Sequence, residues 1–522
     1  MAVAKVMWVD DEMESLEAHR RFLELKGYEL VTFTNGWDAL DFLSKESVDA
    51  VCIDESMPGM GGLETLSRIK QIHAQLPVIL VTKNETESLM EEAIGSQISD
   101  YLIKPVHPQQ VLLSLKKILD NKRLVSERTT VAYQQQFRTL LNDLEGEPDP
   151  QTWINVYNQL IYWELAMAQG DSAEMLDIHA AQKREANALF FKYVSKNYAS
   201  WIKVPDERSP LMSHQFVQKK LLPHLQGSDK LVWIVVDNLR YDQLKVVEPL
   251  LNQHFKVLEE SAYFSLLPTA THYCRNALFA GLLPSHIQQQ YPDKWVREDD
   301  DQGKNLHEEF FLREQLKRSG FGELNCVYKK ITDHAEAVRL SEHALELLDH
   351  DLSVVVYNFV DTISHARNEI DVLKELASDA VSYRSLTQTW FTHSPLFTAL
   401  KKLAERKCTI VITTDHGSIQ VKHPIRVTAD RQSTSNLRYK NGKNLDFDPR
   451  QVYASKDPVR IGLPQYGVNS SYVFAGNEDF ICYPNNFNHY ATLYKNTFQH
   501  GGISMEEMIL PTLRLTGKSV HL

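Results

Sequence analysis

Lys5-Val6-Met7-Trp8-Val9-Asp10-Asp11-Glu12 is the stretch on which the reading of the chain turns, an apolar run that ends on adjacent carboxylates. Further short apolar runs follow at Leu30 to Thr34, Ala50 to Ile53, Val78 to Val81 and Tyr101 to Ile103, with amphipathic helical patterns between them. That alternation predicts a parallel, doubly wound sheet. Carboxyl ends of strands in such a sheet converge on one crevice, so Asp10, Asp11 and Asp54 are expected to meet there. Three carboxylates repel one another unless a divalent cation sits among them, and hard oxygen ligands suit magnesium. Thr82 closes the fourth run and Lys104-Pro105 follows the fifth, supplying a hydroxyl and an ammonium for an incoming phosphoryl group. One Asp after a strand is ordinarily a helix cap. Five such residues at successive strand ends read together as a phosphoryl-acceptor site with Asp54 as nucleophile.

Beyond this block the pattern changes. Residues 121–206 read as a helical bundle, with Trp153, Tyr157, Leu160 and Trp163 at helical spacing, and Pro205 and Pro210 mark its end. Strand-like runs return at Leu231 to Val236, Ser353 to Phe359 and Thr409 to Thr413, so residues 207–522 read as one large α/β domain. The expected organisation is a doubly wound receiver-like domain over 1–120, a helical-bundle linker over 121–206 and the large α/β domain over 207–522. Arg426 to Phe447 is polar and Asn-rich, and reads as an exposed insertion loop.

Composition bounds the function. The 522 residues carry a net charge of -12, which opposes broad binding to nucleic acid or anionic membrane. Five dispersed cysteines fit neither a disulfide framework nor a cysteine-rich zinc finger, so a reducing compartment is expected. Met1 to Val9 runs directly into a strand, and nowhere do about twenty apolar residues stand together, so the expectation is a cytoplasmic protein without membrane insertion.

The second half carries its own acidic strand ends. Asp237 follows the run Leu231 to Val236, Asp361 follows Ser353 to Phe359, and Asp415-His416-Gly417 follows Thr409 to Thr413. Asp361 and His365 are four apart, so one helical turn can aim both at a single ion. His500-Gly501-Gly502 adds an imidazole beside flexible backbone. Mixed His and Asp donors suit zinc, and two such clusters suit a two-metal site. The dipeptide Asp-His carries little alone, since Asp333-His334 and Asp349-His350 follow no predicted strand. Between the first carboxylate and the others stands Leu267-Pro268-Thr269-Ala270-Thr271, where a threonine opening a helix can aim its hydroxyl and free amides at a phosphate.

The motifs Val9-Asp10-Asp11-Glu12, Asp54 with Met57-Pro58-Gly59, Thr82 and Lys104-Pro105 resemble a response-regulator receiver domain. The resemblance implies phosphorylation of Asp54 by a sensor histidine kinase, magnesium held by Asp10, Asp11, Asp54 and the Ser56 carbonyl, and a switch through Thr82, Tyr101 and Lys104. Residues 207–522 resemble the PglZ branch of the alkaline phosphatase superfamily. That resemblance implies one zinc on Asp361, His365 and His500, a second on Asp237, Asp415 and His416, and Thr271 as nucleophile. Arg275 and Asn276 are implied to contact non-bridging phosphate oxygens of a phosphoester substrate. Receiver, bundle and PglZ domain together resemble the PorX-type response regulators of type IX secretion, which implies a sigma factor and secretion-motor components as partners. Homodimerisation on phosphorylation follows from the same resemblance.

Three functions are thus in competition. A zinc-dependent phosphohydrolase, acting on phosphodiesters such as nucleotides or short oligonucleotides, accounts for every filled motif position. A phosphorylation-gated interaction platform with a structural or vestigial metal site is the alternative. Direct DNA binding is opposed by the acidic charge and by the lack of a helix-turn-helix with a basic recognition helix.

Overall fold

A computed structural model of the chain describes residues 4–12, 16–73, 76–83, 98–119, 133, 137, 144, 146, 148–168, 173–225, 230–298, 300, 303–358, 379–428, 436–467 and 469–518. It divides into two compact units, residues 1–136 with 169–172, and residues 137–168 with 173–522.

In the first unit, β1 (Ala4–Val9), β2 (Tyr28–Phe33), β3 (Ala50–Asp54), β4 (Val78–Thr82) and β5 (Asp100–Ile103) form a parallel sheet in the order β2-β1-β3-β4-β5. Both faces of its central strands are buried: Met7, Val9, Val51 and Ile53 join one apolar cluster, while Val6, Trp8, Ala50 and Cys52 join the other. This two-sided burial is why the strands are apolar throughout rather than alternating. The strand order reverses at β1, which opens the crevice between the ends of β1 and β3 where Asp10 and Asp54 stand.

The second unit is built on a six-stranded sheet, in the order β7 (Phe255–Phe264), β19 (Ile509–Gly517), β10 (Cys408–Thr413), β6 (Lys230–Val236), β9 (Leu352–Tyr357) and β8 (Cys326–Ile331). Strands β10, β6, β9 and β8 run parallel; β19 is antiparallel to both of its neighbours. Along β6, Leu231, Trp233 and Val235 face one apolar cluster, and Val232, Ile234 and Val236 face the other.

The helices Pro150–Ala168 and Ala173–Lys203 belong to this second unit and do not close a core of their own. Trp153, Tyr157, Leu160, Phe190, Val194 and Tyr198 share one buried cluster with Trp233, Val235, Tyr263 and Phe264 of the sheet. The expected helical bundle is therefore, among the described residues, a helix pair that completes the core of the larger domain. The segment Arg426 to Phe447 is likewise more ordered than a loop: β12 (His423–Thr428) enters it, and β13 (Tyr439–Lys443) and β14 (Asp446–Phe447) lie within it. Polar strands are legible only when their partners are known, and β12 pairs with β17 (Asp479–Cys482), far along the chain. Among the described residues no helix is long and apolar enough to cross a membrane.

Each large apolar side chain that the helix pair buries contributes about 1.5–3 kcal/mol. A chain beginning at residue 207 is therefore expected to lose cooperative thermal unfolding and to bind a hydrophobic dye, whereas one beginning at 137 keeps a single sharp transition by circular dichroism. A sharp transition in the shorter chain would contradict the shared core.

Candidate active site

Each unit carries one acidic centre at the carboxyl ends of its strands. In the first, donor atoms of Asp10, Asp11 and Asp54 lie within 4.8 Å of one another. Lys104 reaches across to Asp10 at 2.9 Å and to Asp54 at 3.0 Å, and Asp10 accepts the backbone N–H of Glu12 at 2.9 Å. Burial raises the Asp54 carboxyl above the usual range, Asp10 and Asp11 add to the effect, and Lys104 opposes it. Thr82 donates its hydroxyl to Glu55 at 3.0 Å, and Tyr101 lies half-buried against the core. Three acids that could hold a hard cation, a hydroxyl and an ammonium thus gather at one sheet edge, a set that suits magnesium.

In the second unit, Asp237, Asp415 and His416 are all buried, and one donor atom from each lies within 4.8 Å of the others. The His416 Nε2 is 3.7 Å from Asp237 Oδ1 and 3.8 Å from Asp415 Oδ2. Neighbouring donors about a tetrahedral ion at ~2.1 Å stand about 3.4 Å apart, so this trio is close to cation-binding geometry. The Nδ1 of His416 faces the Gly417 carbonyl at 3.1 Å; a proton held there leaves Nε2 as a lone-pair donor. Local backbone fixes these positions. Asn238, just past β6, takes φ 60, a left-handed conformation that Asn tolerates, and Leu239 N–H donates to the Thr414 hydroxyl at 3.0 Å.

Thr271 opens the helix Thr271–Ala280, and its Oγ1 lies 2.8 Å from His416 Nε2. The helix dipole at this N-terminus favours an anion beside the hydroxyl, although the Tyr273 N–H already donates to the Ala270 carbonyl at 3.0 Å. The His500 ring stacks on His416 with centroids 4.3 Å apart, and its Nδ1 lies 3.2 Å from the Thr269 carbonyl. Asp361 and His365, the other two expected ligands, lie outside the described residues.

Arg275 and Asn276 are placed differently from what the resemblance implies. Arg275 is about 1% exposed and spends its guanidinium on the carboxylates, with Nε 2.9 Å from Asp415, Nη2 on Asp237, Nη1 3.2 Å from Asn358 and 3.6 Å from Glu308. Burial pushes the Asp415 carboxyl up, but Arg275 and His416 outweigh it and hold it well below the ordinary value. Arg275 thus acts as a fixed counter-charge for the acids. Asn276 turns away from Thr271, donating to the carbonyls of His272 and Lys304 and accepting from Asn305.

Several residues that tie the site together escaped the sequence reading. Thr269 donates to the Gly502 carbonyl and accepts the Gly501 N–H, both at 2.9 Å, which couples the threonine loop to the His500 turn. Glu507, fully buried, accepts the Gly502 N–H at 2.9 Å and pairs with Arg438 at 2.6 Å. Gly501 sits at φ +122 with Tyr439 2.5 Å from where a Cβ would stand. The Pro-Thr-Ala-Thr and His-Gly-Gly motifs were visible as separate pieces; their pairing depends on β7 and β19 lying side by side, with Phe264 opposite Ile509.

A family model of the BREX system PglZ alkaline phosphatase-like domain matches residues 216–515, more than half of the 522-residue chain. Models of the PorX response regulator linker domain and of the response regulator receiver domain match residues 123–202 and 6–116. The chain belongs to the PglZ family, in the PorX-type arrangement. Its large domain is accordingly alkaline phosphatase-like, within a superfamily of metal-dependent hydrolases, and its receiver implies a phosphodonor such as a histidine kinase. Curated relatives include the transcriptional regulatory protein CpxR of Escherichia coli (strain K12), 32% identical over 117 residues, 22% of this chain and 49% of that protein. The alkaline phosphatase synthesis transcriptional regulatory protein PhoP of Bacillus subtilis (strain 168) is 25% identical over 148 residues, 28% of this chain and 61% of that one. The chain thus spans less than two thirds of the length of each of these two relatives. Among solved structures, the chemotaxis protein CheY4 of Vibrio cholerae matches at 27% identity and a TM-score of 0.22, over 22% of this chain and 99% of that one.

A Cβ at Gly417 would come within 2.0 Å of the Glu506 carbonyl oxygen. Gly417→Ala is expected to destabilise the chain by about 1–3 kcal/mol, as overpacking does, and to weaken metal retention by displacing His416. Unfolding in urea together with metal content after dialysis checks this; unchanged values in both would contradict the close approach.

Proposed function

We propose that the chain is a response regulator whose phosphorylation at Asp54 controls a zinc-dependent phosphodiesterase, with Thr271 as its nucleophile. The observation that carries this reading is the 2.8 Å contact between Thr271 Oγ1 and His416 Nε2, at a helix N-terminus and beside the carboxylates of Asp237 and Asp415. Asp237, Asp415 and His416 would hold one zinc ion, and His500 with Asp361 and His365 a second. Zinc in these sites supplies Lewis acidity, which lowers the proton affinity of a hydroxyl and offsets charge gathering on phosphoryl oxygens.

The chain's own residues carry the steps. The N-terminus of the helix Thr271–Ala280, through the Thr271 and His272 amides and the helix dipole, binds and orients the phosphoryl group. Thr271 Oγ1 forms a bond to phosphorus as one ester P–O bond breaks, the Thr271 proton leaves with the departing alkoxide as an alcohol, and a phosphothreonine that still carries the second ester group remains. Water then attacks phosphorus, the Thr271 Oγ–P bond breaks, and the hydroxyl is regenerated with release of the phosphomonoester. With Arg275 committed to Asp237 and Asp415, no recognised side chain among the described residues is left over for the second negative charge of a monoester, which favours diesters, with nucleotides or short oligonucleotides as the substrate class. Asp10, Asp11 and Asp54 would hold magnesium, with Thr82, Tyr101 and Lys104 reading the phosphoryl group on Asp54. A sensor histidine kinase would supply it, and homodimerisation would carry the signal. The PorX-type arrangement supports type IX secretion as the setting, with a sigma factor and secretion-motor components as partners.

Purified protein with zinc is expected to hydrolyse bis-p-nitrophenyl phosphate faster than p-nitrophenyl phosphate. Thr271→Ala and Asp237→Ala should each lose activity by about a hundredfold or more, as removal of a nucleophile or of its charge support does. A zinc-loaded protein that leaves the diester intact would favour the interaction-platform reading instead. Beryllofluoride, which mimics an aspartyl phosphate, is expected to change turnover and oligomeric state in the wild type and not in Asp54→Asn, measured by rate assay and light scattering. An identical response in the variant would detach Asp54 from control.

A further inference from the structure

Six charged side chains, three cationic and three anionic, form one buried network between the linker helices and the loops of the site. Glu164 on Pro150–Ala168 and Lys183 on Ala173–Lys203 pair at 3.0 Å, and Lys183 also reaches Glu506 at 3.2 Å. Glu164 further pairs with Arg384, which reaches Asp242 at 3.0 Å, and Asp242 grips Arg240 through two bonds of 2.9 and 3.0 Å. Their side chains are between 2% and 17% exposed. Burial pushes the Glu164 carboxyl up, yet Lys183 and Arg384 draw it well below its ordinary value, so the network is charged.

Each end of the network touches a segment that carries a candidate ligand. Arg240 stands three residues beyond Asp237, and its guanidinium lies 4.8 Å from the ring of Phe498, two residues before His500. The Glu506 side chain takes Lys183 and, at 3.0 Å, the Asn187 amide, while the Asn187 carbonyl group accepts the Met505 N–H at 2.9 Å. The backbone carbonyl of the same Glu506 is the surface against which Gly417 packs, one residue from His416. Linker side chains are thus bonded directly to Glu506 and Met505, beside the support of Asp415-His416-Gly417, and are connected through Arg384, Asp242 and Arg240 to the loop after Asp237 and the strand leading to His500.

We propose that the two linker helices are a positioning shell for the metal site, with Glu164, Lys183 and Asn187 as positioning residues that set its affinity for zinc. Partners one step removed from metal ligands fix ligand orientation, and their loss lowers metal affinity about 10–100-fold. The helix pair then has a means of changing the site: a shift of either helix moves charges that connect to three ligand-bearing segments, through Glu506 on one side and through Arg384, Asp242 and Arg240 on the other. This rests on the zinc-hydrolase reading of the same site.

The test is zinc affinity of the full-length chain, measured by competition with a chelating dye and therefore independent of turnover. Glu164→Gln with Lys183→Met removes one charge of each sign and is expected to weaken zinc binding about tenfold or more; Lys183→Arg restores the charge and should recover most of it. Asn187→Ala, which deletes only two hydrogen bonds, should weaken binding severalfold and decides the matter if the double variant does not fold. Lys220→Ala, which removes an ion pair with Glu259 on β7 outside the network, should leave affinity at the wild-type value. Wild-type affinity in folded Asn187→Ala and in the folded double variant overturns the positioning role alone, whereas a wild-type chain that takes up no zinc overturns the hydrolase reading beneath it.

Discussion

Two carboxylates out of water, Asp237 and Asp415, set the terms for the larger domain. Bringing like charges together in a low-dielectric interior is costly unless cations answer them, and the fold answers with Arg275, threaded from the helix that Thr271 opens. The His416 Nε2 stands 3.7 Å from Asp237 Oδ1 and 2.8 Å from the Thr271 hydroxyl. One salt-bridged arginine therefore holds the acids in place and leaves the imidazole side open to a metal ion. Thr271 and Arg275, the counter-charge of the acids, share one helix, so their relative geometry is set by four residues of regular backbone.

A second layer of buried charge keeps the loops around this centre in register. Glu507 with Arg438 secures the His500 turn, and the linker network from Glu164 to Arg240 secures the loops on the other side. Such groups add little net stability compared with apolar packing, but each tolerates only one arrangement of its partners, which gives the loops a single geometry. The apolar work is done elsewhere, by the two clusters on the faces of the six-stranded sheet, one of which the linker helices complete.

Much of this was legible in the sequence because strands that end in acidic residues announce both an element and a site. The runs ending at Asp10, Asp54, Asp237 and Asp415 are observed within a residue or two of their expected limits. The strands β7 and β8 and the polar strands between residues 419 and 482 were not, since their residues alternate or are hydrophilic and gain strand character only from distant partners. The resemblance implied that Arg275 contacts substrate; a four-residue helical step from Thr271 instead carries it to the acids. The linker's role in the core was illegible for a similar reason. Trp153 and Tyr157 reveal a buried helix face, but not that the surface covering it is Trp233 and Phe264.

The most direct test of the central claim is anomalous diffraction at the zinc edge from crystals of the full-length chain grown with zinc. The account predicts an anomalous peak about 2.0–2.2 Å from donor atoms of Asp237, Asp415 and His416, within reach of Thr271 Oγ1. Clear density for all four side chains with no peak among them, and the acids still held by Arg275 alone, would contradict it.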